Sequence, residues 1–272
     1  MNNYKLPDLT RDVIYFFVAL NMLIRGASGE IKPTLKQLES LAKATFTPLG
    51  FFFLNKPPLE QLPIPHFRTI YDGKPDRPSP DLLETVQIMQ RRQTWMREFL
   101  AEQGQNELPF VGFTRHEEQA SSVVIKILET LNLNEDWTSA ERSWTDALHT
   151  LRQAIEDSGI LVIVNGIVGN NTHRTLDPNE FRGFVLVDEY VPLVFVNGAD
   201  SKAAQMFTLA HELAHVFYGS SAAFDLREMQ PADEPIEQKC NQVAAEFLVP
   251  QRKLHQLWDS VKEETEPFQV IA

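Results

Sequence analysis

Cysteine is almost missing from this 272-residue chain, and its single example, Cys240, excludes an intramolecular disulfide framework. The fold must be held by its core, and a reducing, cytoplasmic setting is the expectation. Also missing is any run approaching the roughly 18 apolar residues of a membrane span. The longest early apolar stretch, Val13 to Ile24, contains Asn21 and reads as a buried helix, so no membrane partner is expected. The opening MNNYKLPDLTRD lacks the basic-then-apolar order of a secretory signal. Positive charge is scarce too. With 25 Lys and Arg against 37 Asp and Glu, the formal charge is −12, which argues against a chain dedicated to wrapping a polyanion. Only residues 1–56 reverse the sign, with seven Lys or Arg against four acids, and that is mildly basic.

Proline is present but concentrated. Seven of the 17 prolines fall in residues 57–80, where missing N–H donors and fixed φ predict an extended connection. Before it, Pro33-Thr34 followed by Gln37 predicts a helix start of the capping-box kind, with Leu35, Leu38, Leu41 and Ala42 on one face. A second short helix is expected from Pro48, carrying Leu49, Phe51, Phe52, Phe53 and Leu54. No polar helix with base-reading side chains follows, so this segment reads as packing or partner surface and not as a DNA reader. After it, Ser79-Pro80 starts a long helix with Leu82, Val86, Met89, Met96, Phe99 and Leu100 as its expected buried face. Two more helices are expected over 116–131 and 139–157. At Gly159 the pattern turns β-branched and apolar, predicting strands over 160–169, 184–188 and 192–197. The order implies an α+β fold, a mainly helical region followed by a small sheet.

The chemistry is concentrated in FTLAHELAHVFY, Phe207 to Tyr218. Residues four apart on a helix share a face, so the imidazoles of His211 and His215 can converge on one metal ion. Glu212 sits beside them, where it can act as base toward a water; this is the H-E-x-x-H arrangement of zinc metallopeptidases. Asp200 or Ser201 offers an N-cap and Gly219 a stop. A third zinc ligand is required. Of the downstream acids, Glu237 and Glu246 lie in a helical pattern whose apolar stripe is Ile236, Cys240, Val243, Ala244 and Phe247. Glu237 is favoured because Asn241, four residues on, can hydrogen-bond a ligand from behind; Glu246 is read as a salt-bridging or capping acid. Cys240 lies on the apolar stripe and reads as a packed thiol.

These stretches resemble the ImmA/IrrE family of zinc metallopeptidases. The likeness runs through Gly166 to Gly219 and EQKCNQVAAEFLVP, Glu237 to Pro250, and upstream through Pro33 to Pro58 and LPIPHFRTI, Leu62 to Ile70. It implies a zincin-like domain over 159–260, comprising a small sheet, the H-E-x-x-H helix and a second ligand helix. An acidic tail, 261–272, follows, and a helical region, 81–158, precedes it. It implies His211, His215 and Glu237 as zinc ligands and Glu212 as catalytic base. His173 and Arg174, in a stretch resembling the family, become candidates to contact substrate or a developing oxyanion. Residues 1–56 then resemble the last helices of a helix-turn-helix module, here truncated. The substrate class implied is a protein, a helix-turn-helix transcriptional repressor, cut at limited sites. The rival from another class is a non-catalytic regulatory or toxin-antitoxin-type binding protein using the zinc fold as scaffold.

Overall fold

The computed structural model describes residues 33–45, 47–54, 56, 78–114, 118–219 and 235–261. The expected apolar helix before residue 25, the connection up to residue 77, His116, the loop 220–234 and the tail from 262 lie outside them. The chain divides into two compact units, residues 1–61 and 62–272. In the first, helix α1 spans Leu35–Ala44 and begins with the expected capping box. The Thr34 hydroxyl accepts from the Gln37 N–H, and the Gln37 side chain accepts from the Thr34 N–H. Leu41 and Ala42 are buried, but Leu35 is exposed. The short helix expected from Pro48 is a 3-10 helix, Leu49–Phe53, with no buried residue.

In the second unit, α2 spans Pro80–Glu102, its N-terminus closed by the Ser79 hydroxyl, which accepts from the Leu82 N–H at 3.1 Å. Only its first half is buried, through Leu82, Thr85, Val86 and Met89. Phe99, expected in the core, is 45% exposed and stacks on Trp95, 62% exposed, at 5.9 Å. The reason is length. A 23-residue helix runs about 34 Å, while the five-residue strands below it run about 17 Å. Helices α3, Ala120–Thr130, and α4, Trp144–Asp157, follow. Helix α4 starts later than the expected Ser139, because Ser143 supplies the cap and Trp137–Ala140 forms a separate 3-10 turn. Gly159, at φ +99°, then reverses the chain into the sheet, a conformation strained for any residue with a Cβ.

The sheet has strands β1, Leu161–Asn165; β4, Gly183–Leu186; and β5, Leu193–Asn197, in the order β1-β5-β4. Strand β5 pairs parallel with β1 and antiparallel with β4. The single strand expected over 160–169 breaks at Gly166. There the Asn165 carboxamide accepts from the Ile167 N–H and donates to the Gly169 carbonyl. A separate hairpin follows, β2, Ile167–Val168, against β3, Asn171–Thr175. Strand β3 is unexpected from the sequence, since NTHRT has no apolar alternation and only Arg174 is buried.

One sheet face packs on α2 through Phe181, Phe184, Leu186, Leu193 and Phe195; Val185, Val194 and Val196 face the larger core. That core holds α5, Lys202–Tyr218, with α6, Pro235–Leu248, packed against it. The buried stripe of α6 is Ile236, Cys240, Val243, Ala244 and Phe247, as the spacing predicts. Helix α7, Gln251–Val261, is capped by Glu246, which accepts from the Gln251 N–H at 3.1 Å, the capping role expected of that acid. Among the described residues no helix is long and apolar enough to cross a membrane.

The β2–β3 hairpin is fastened to α2 by charge. The Arg174 guanidinium, 9% exposed, donates to Asp81 at 2.5 and 3.0 Å and to Glu84 at 2.6 Å. Nearby, Glu180 accepts from both the N–H and the hydroxyl of Ser79, at 2.8 and 2.7 Å. Removing the cation leaves two half-solvated acids facing each other. Arg174→Ala should therefore cost about 2 kcal/mol, below the full penalty of a fully buried pair, as measured by urea unfolding.

Candidate metal centre

Helix α5 is placed by fixed ends. At its start the Ser201 hydroxyl accepts from the Ala204 N–H, and the buried Gln205 amide donates to the Gly198 and Asp200 carbonyls at 3.1 and 2.7 Å. Of the two caps the sequence offers, Ser201 is the one used. At its end the Gly112 and Thr114 N–H groups donate to the Val216 and Phe217 carbonyls, and Phe110 stacks on Phe217 at 5.4 Å. Leu209, Leu213, Ala214, Val216 and Phe217 are wholly buried, each large one contributing about 1.5–3 kcal/mol. That surplus offsets the burial of Thr208, His211, Glu212 and His215, each about 1% exposed.

His211 and His215 lie one turn apart with ring centroids at 4.9 Å and their Nε2 atoms at 3.1 Å. Helix α6 brings Glu237 against both. Its Oε2 lies 3.1 Å from Nε2 of His211 and its Oε1 lies 3.1 Å from Nε2 of His215. These three residues form a candidate metal site. Behind it, Asn241 Oδ1 stands 3.1 Å from His211 Nδ1. A carboxamide oxygen only accepts, so Nδ1 carries a proton, which leaves Nε2 as the nitrogen available to a metal ion on the side of Glu237. Two ring nitrogens and a carboxylate at 3.1 Å from one another are a donor set that a metal ion can share. A tetrahedral ion about 2.0–2.1 Å from each donor would hold those donors roughly 3.3 Å apart, close to the spacing observed.

The electrostatics suit deprotonated donors. Burial holds His215 below the ordinary imidazole value, outweighing the pull of Glu237. Burial alone would raise the Glu237 carboxyl, but hydrogen bonds and charge from His211 and His215 bring it below the carboxylate range. Cys240, buried, is pushed well up by its burial and by the fields of Glu237 and Glu212, so it is a packed thiol and not a thiolate nucleophile.

Of the other residues singled out, Arg174 is taken up by the α2 carboxylates, and His173 is exposed on the same hairpin strand. The group the structure gathers is His211, His215 and Glu237, with Asn241 behind. One neighbour carried no signal in the sequence. Gly183 of β4 lies so close to α5 that an added Cβ would stand 2.4 Å from Thr208 Cγ2, 2.7 Å from the Phe195 carbonyl oxygen and 3.5 Å from Glu212 Oε1.

A small mixed sheet, a buried helix presenting two imidazoles, and a carboxylate from the next helix together define a zincin-like metallopeptidase domain. Residues 155–269 match the family model described as the IrrE N-terminal-like domain, peptidase family M78, and this part of the chain belongs to the ImmA/IrrE metallopeptidases. No curated protein and no solved structure matches the chain significantly.

Two outcomes are expected. Asn241→Ala should weaken metal affinity 10- to 100-fold, read by competition with a chromophoric chelator, whereas Glu237→Ala should abolish stoichiometric binding. At the end of α5, burial pushes the Tyr218 phenol up to about 12 from its usual value near 10. Stability from the neutral phenol is thus whole below pH 10 and lost as pH rises through 12. Tyr218→Phe should flatten the decline of denaturant-measured stability across that window.

Proposed function

We propose that the domain is a zinc-dependent endopeptidase that makes limited cuts in a protein substrate. The observation that carries this reading is the convergence of His211, His215 and Glu237 on one point, with Glu212 buried in the same turn of α5. Zinc held by these donors supplies Lewis acidity, which polarises a carbonyl and acidifies water toward neutrality. Glu212 accepts the proton of the attacking water and delivers it to the departing amide nitrogen. Asn241 keeps His211 in the tautomer whose Nε2 is free.

An extended substrate is held as an added strand, by analogy with other zincin folds. Strand β4 ends the sheet among the described residues. The Asn197 N–H donates to the Arg182 carbonyl, and antiparallel bonding alternates residue by residue, so the main-chain groups of Gly183 and Val185 point away from β5. Gly183 also borders Glu212, which puts that stretch of backbone beside the proposed base. The resemblance to ImmA/IrrE proteins supports a helix-turn-helix transcriptional repressor as substrate class. DNA is not proposed as a partner, given the net charge of −12.

The test is Glu212→Gln. It should bind zinc with wild-type stoichiometry and lose about 10²- to 10⁴-fold in turnover of a repressor co-expressed with it, read as disappearance of the shortened product. A Gln variant that cuts at the wild-type rate defeats the assignment.

A further inference from the structure

The metal centre is built from α5 and α6, yet the proposed base faces a third element. Thr208 precedes Glu212 by four residues, so their side chains share a face of α5, and that face meets β4. At Gly183 the space a Cβ would occupy is already taken, by Thr208 Cγ2 at 2.4 Å and by the Phe195 carbonyl oxygen across the strand pair at 2.7 Å. Real Cβ atoms do not tolerate separations below about 3 Å, and one of these atoms is backbone that cannot swing aside. Thr208 is only 1% exposed, in packing dense enough that a few tenths of an ångström are felt.

We propose that Gly183 is a positioning residue for Glu212: the missing Cβ lets α5 close onto β4 until Thr208 seats against the strand, and that seating fixes the Glu212 carboxylate relative to the β4 backbone, where the proposed substrate strand is added. The inference rests on the endopeptidase reading for its catalytic consequence, but its spacing claim stands on geometry alone. His211 and His215 are held from the opposite side by α6, through Glu237 and Asn241. Widening the α5–β4 gap therefore carries Glu212 away from the strand while the three donors, moving with it, stay together. Misplacing a reacting group by about 1 Å can cost on the order of 100-fold in rate.

Gly166 provides the control. It too is crowded, if less tightly, with its added Cβ meeting the Ala199 nitrogen at 2.9 Å, but its neighbours are Ala199 and Gly198 and not Glu212.

The experiment compares Gly183→Ala, Thr208→Ser, their double variant and Gly166→Ala, each assayed for thermal stability, zinc stoichiometry, kcat and KM. Thr208→Ser removes Cγ2 and keeps the hydroxyl. Gly183→Ala should lower Tm by about 5 °C, retain one zinc per chain, and lose at least about 10-fold in kcat with KM within about threefold. Adding Thr208→Ser should recover part of both losses, measured against Thr208→Ser alone. Gly166→Ala should lower Tm with kcat of the folded protein unchanged. The proposal is overturned if folded, zinc-loaded Gly183→Ala keeps kcat within twofold of wild type. It is also overturned if the double variant recovers neither Tm nor kcat, including the case in which neither Gly183→Ala form folds. Should Glu212→Gln prove fully active, the base assignment fails by itself, and the Tm coupling between positions 183 and 208 still reports on the spacing.

Discussion

The structure depends on the burial of two imidazoles and a carboxylate facing one another at 3.1 Å inside an apolar core. Any one of these groups, buried alone, would cost several kcal/mol or change its protonation. Together they are tolerable because each supplies what another lacks. The carboxylate stays ionised because the imidazoles answer it, and His215 stays neutral because its surroundings are dry. Two imidazoles and one carboxylate form a donor set that a divalent metal ion would complete. Metal bound there would also contribute folding free energy to the α5–α6 pair.

That constraint explains how rigidly α5 is held. A metal site tolerates little displacement of its donors, and a helix buried on all sides could still slide along its axis. Here the Gln205 amide and Ser201 cap fix the first turn to the end of β5, while the strap before α3 occupies the last carbonyls through Gly112 and Thr114. The same strap is tied to the β4–β5 turn, since the Leu108 N–H donates to the Glu189 carbonyl at 2.7 Å. The half-buried Gln93 amide braces that turn by donating to the Leu186 and Val191 carbonyls. Sheet, strap and metal helix thus form one closed set of contacts.

What the sequence revealed followed the range of the interaction. The pairing of His211 with His215, the link from Glu237 to Asn241, the Thr34 capping box and the apolar stripe of α6 are all written within three to eleven residues. Each was legible from helical geometry alone. Glu237 could be preferred to Glu246 for the same reason, because its helper stood one turn away. The ion pairs of Arg174 were hidden because its partners, Asp81 and Glu84, precede it by 93 and 90 residues. Strand β3 was invisible because a two-stranded hairpin resting on ion pairs needs no apolar alternation. The overhang of α2 was hidden since apolar spacing marks a face without saying what covers it. Gly183 shows the limit most clearly, as a missing Cβ signals nothing until its neighbours are known.

The same energetics separate an enzyme from a scaffold. A domain that uses a metal only to hold its shape needs His211, His215 and Glu237, and nothing in that task calls for a fourth titratable group. Glu212 is nonetheless 1% exposed, packed on its face of α5 beside Thr208 and against Gly183. Even a hydrogen-bonded carboxylate gives up part of its hydration there, and an apolar residue of similar volume would stabilise the helix by about 1–3 kcal/mol. A buried acid beside the metal donors, seated by a glycine against the end strand, lowers stability where a binding module would have no use for it. A water-activating peptidase requires that group at that place, which is why the arrangement favours catalysis over recognition.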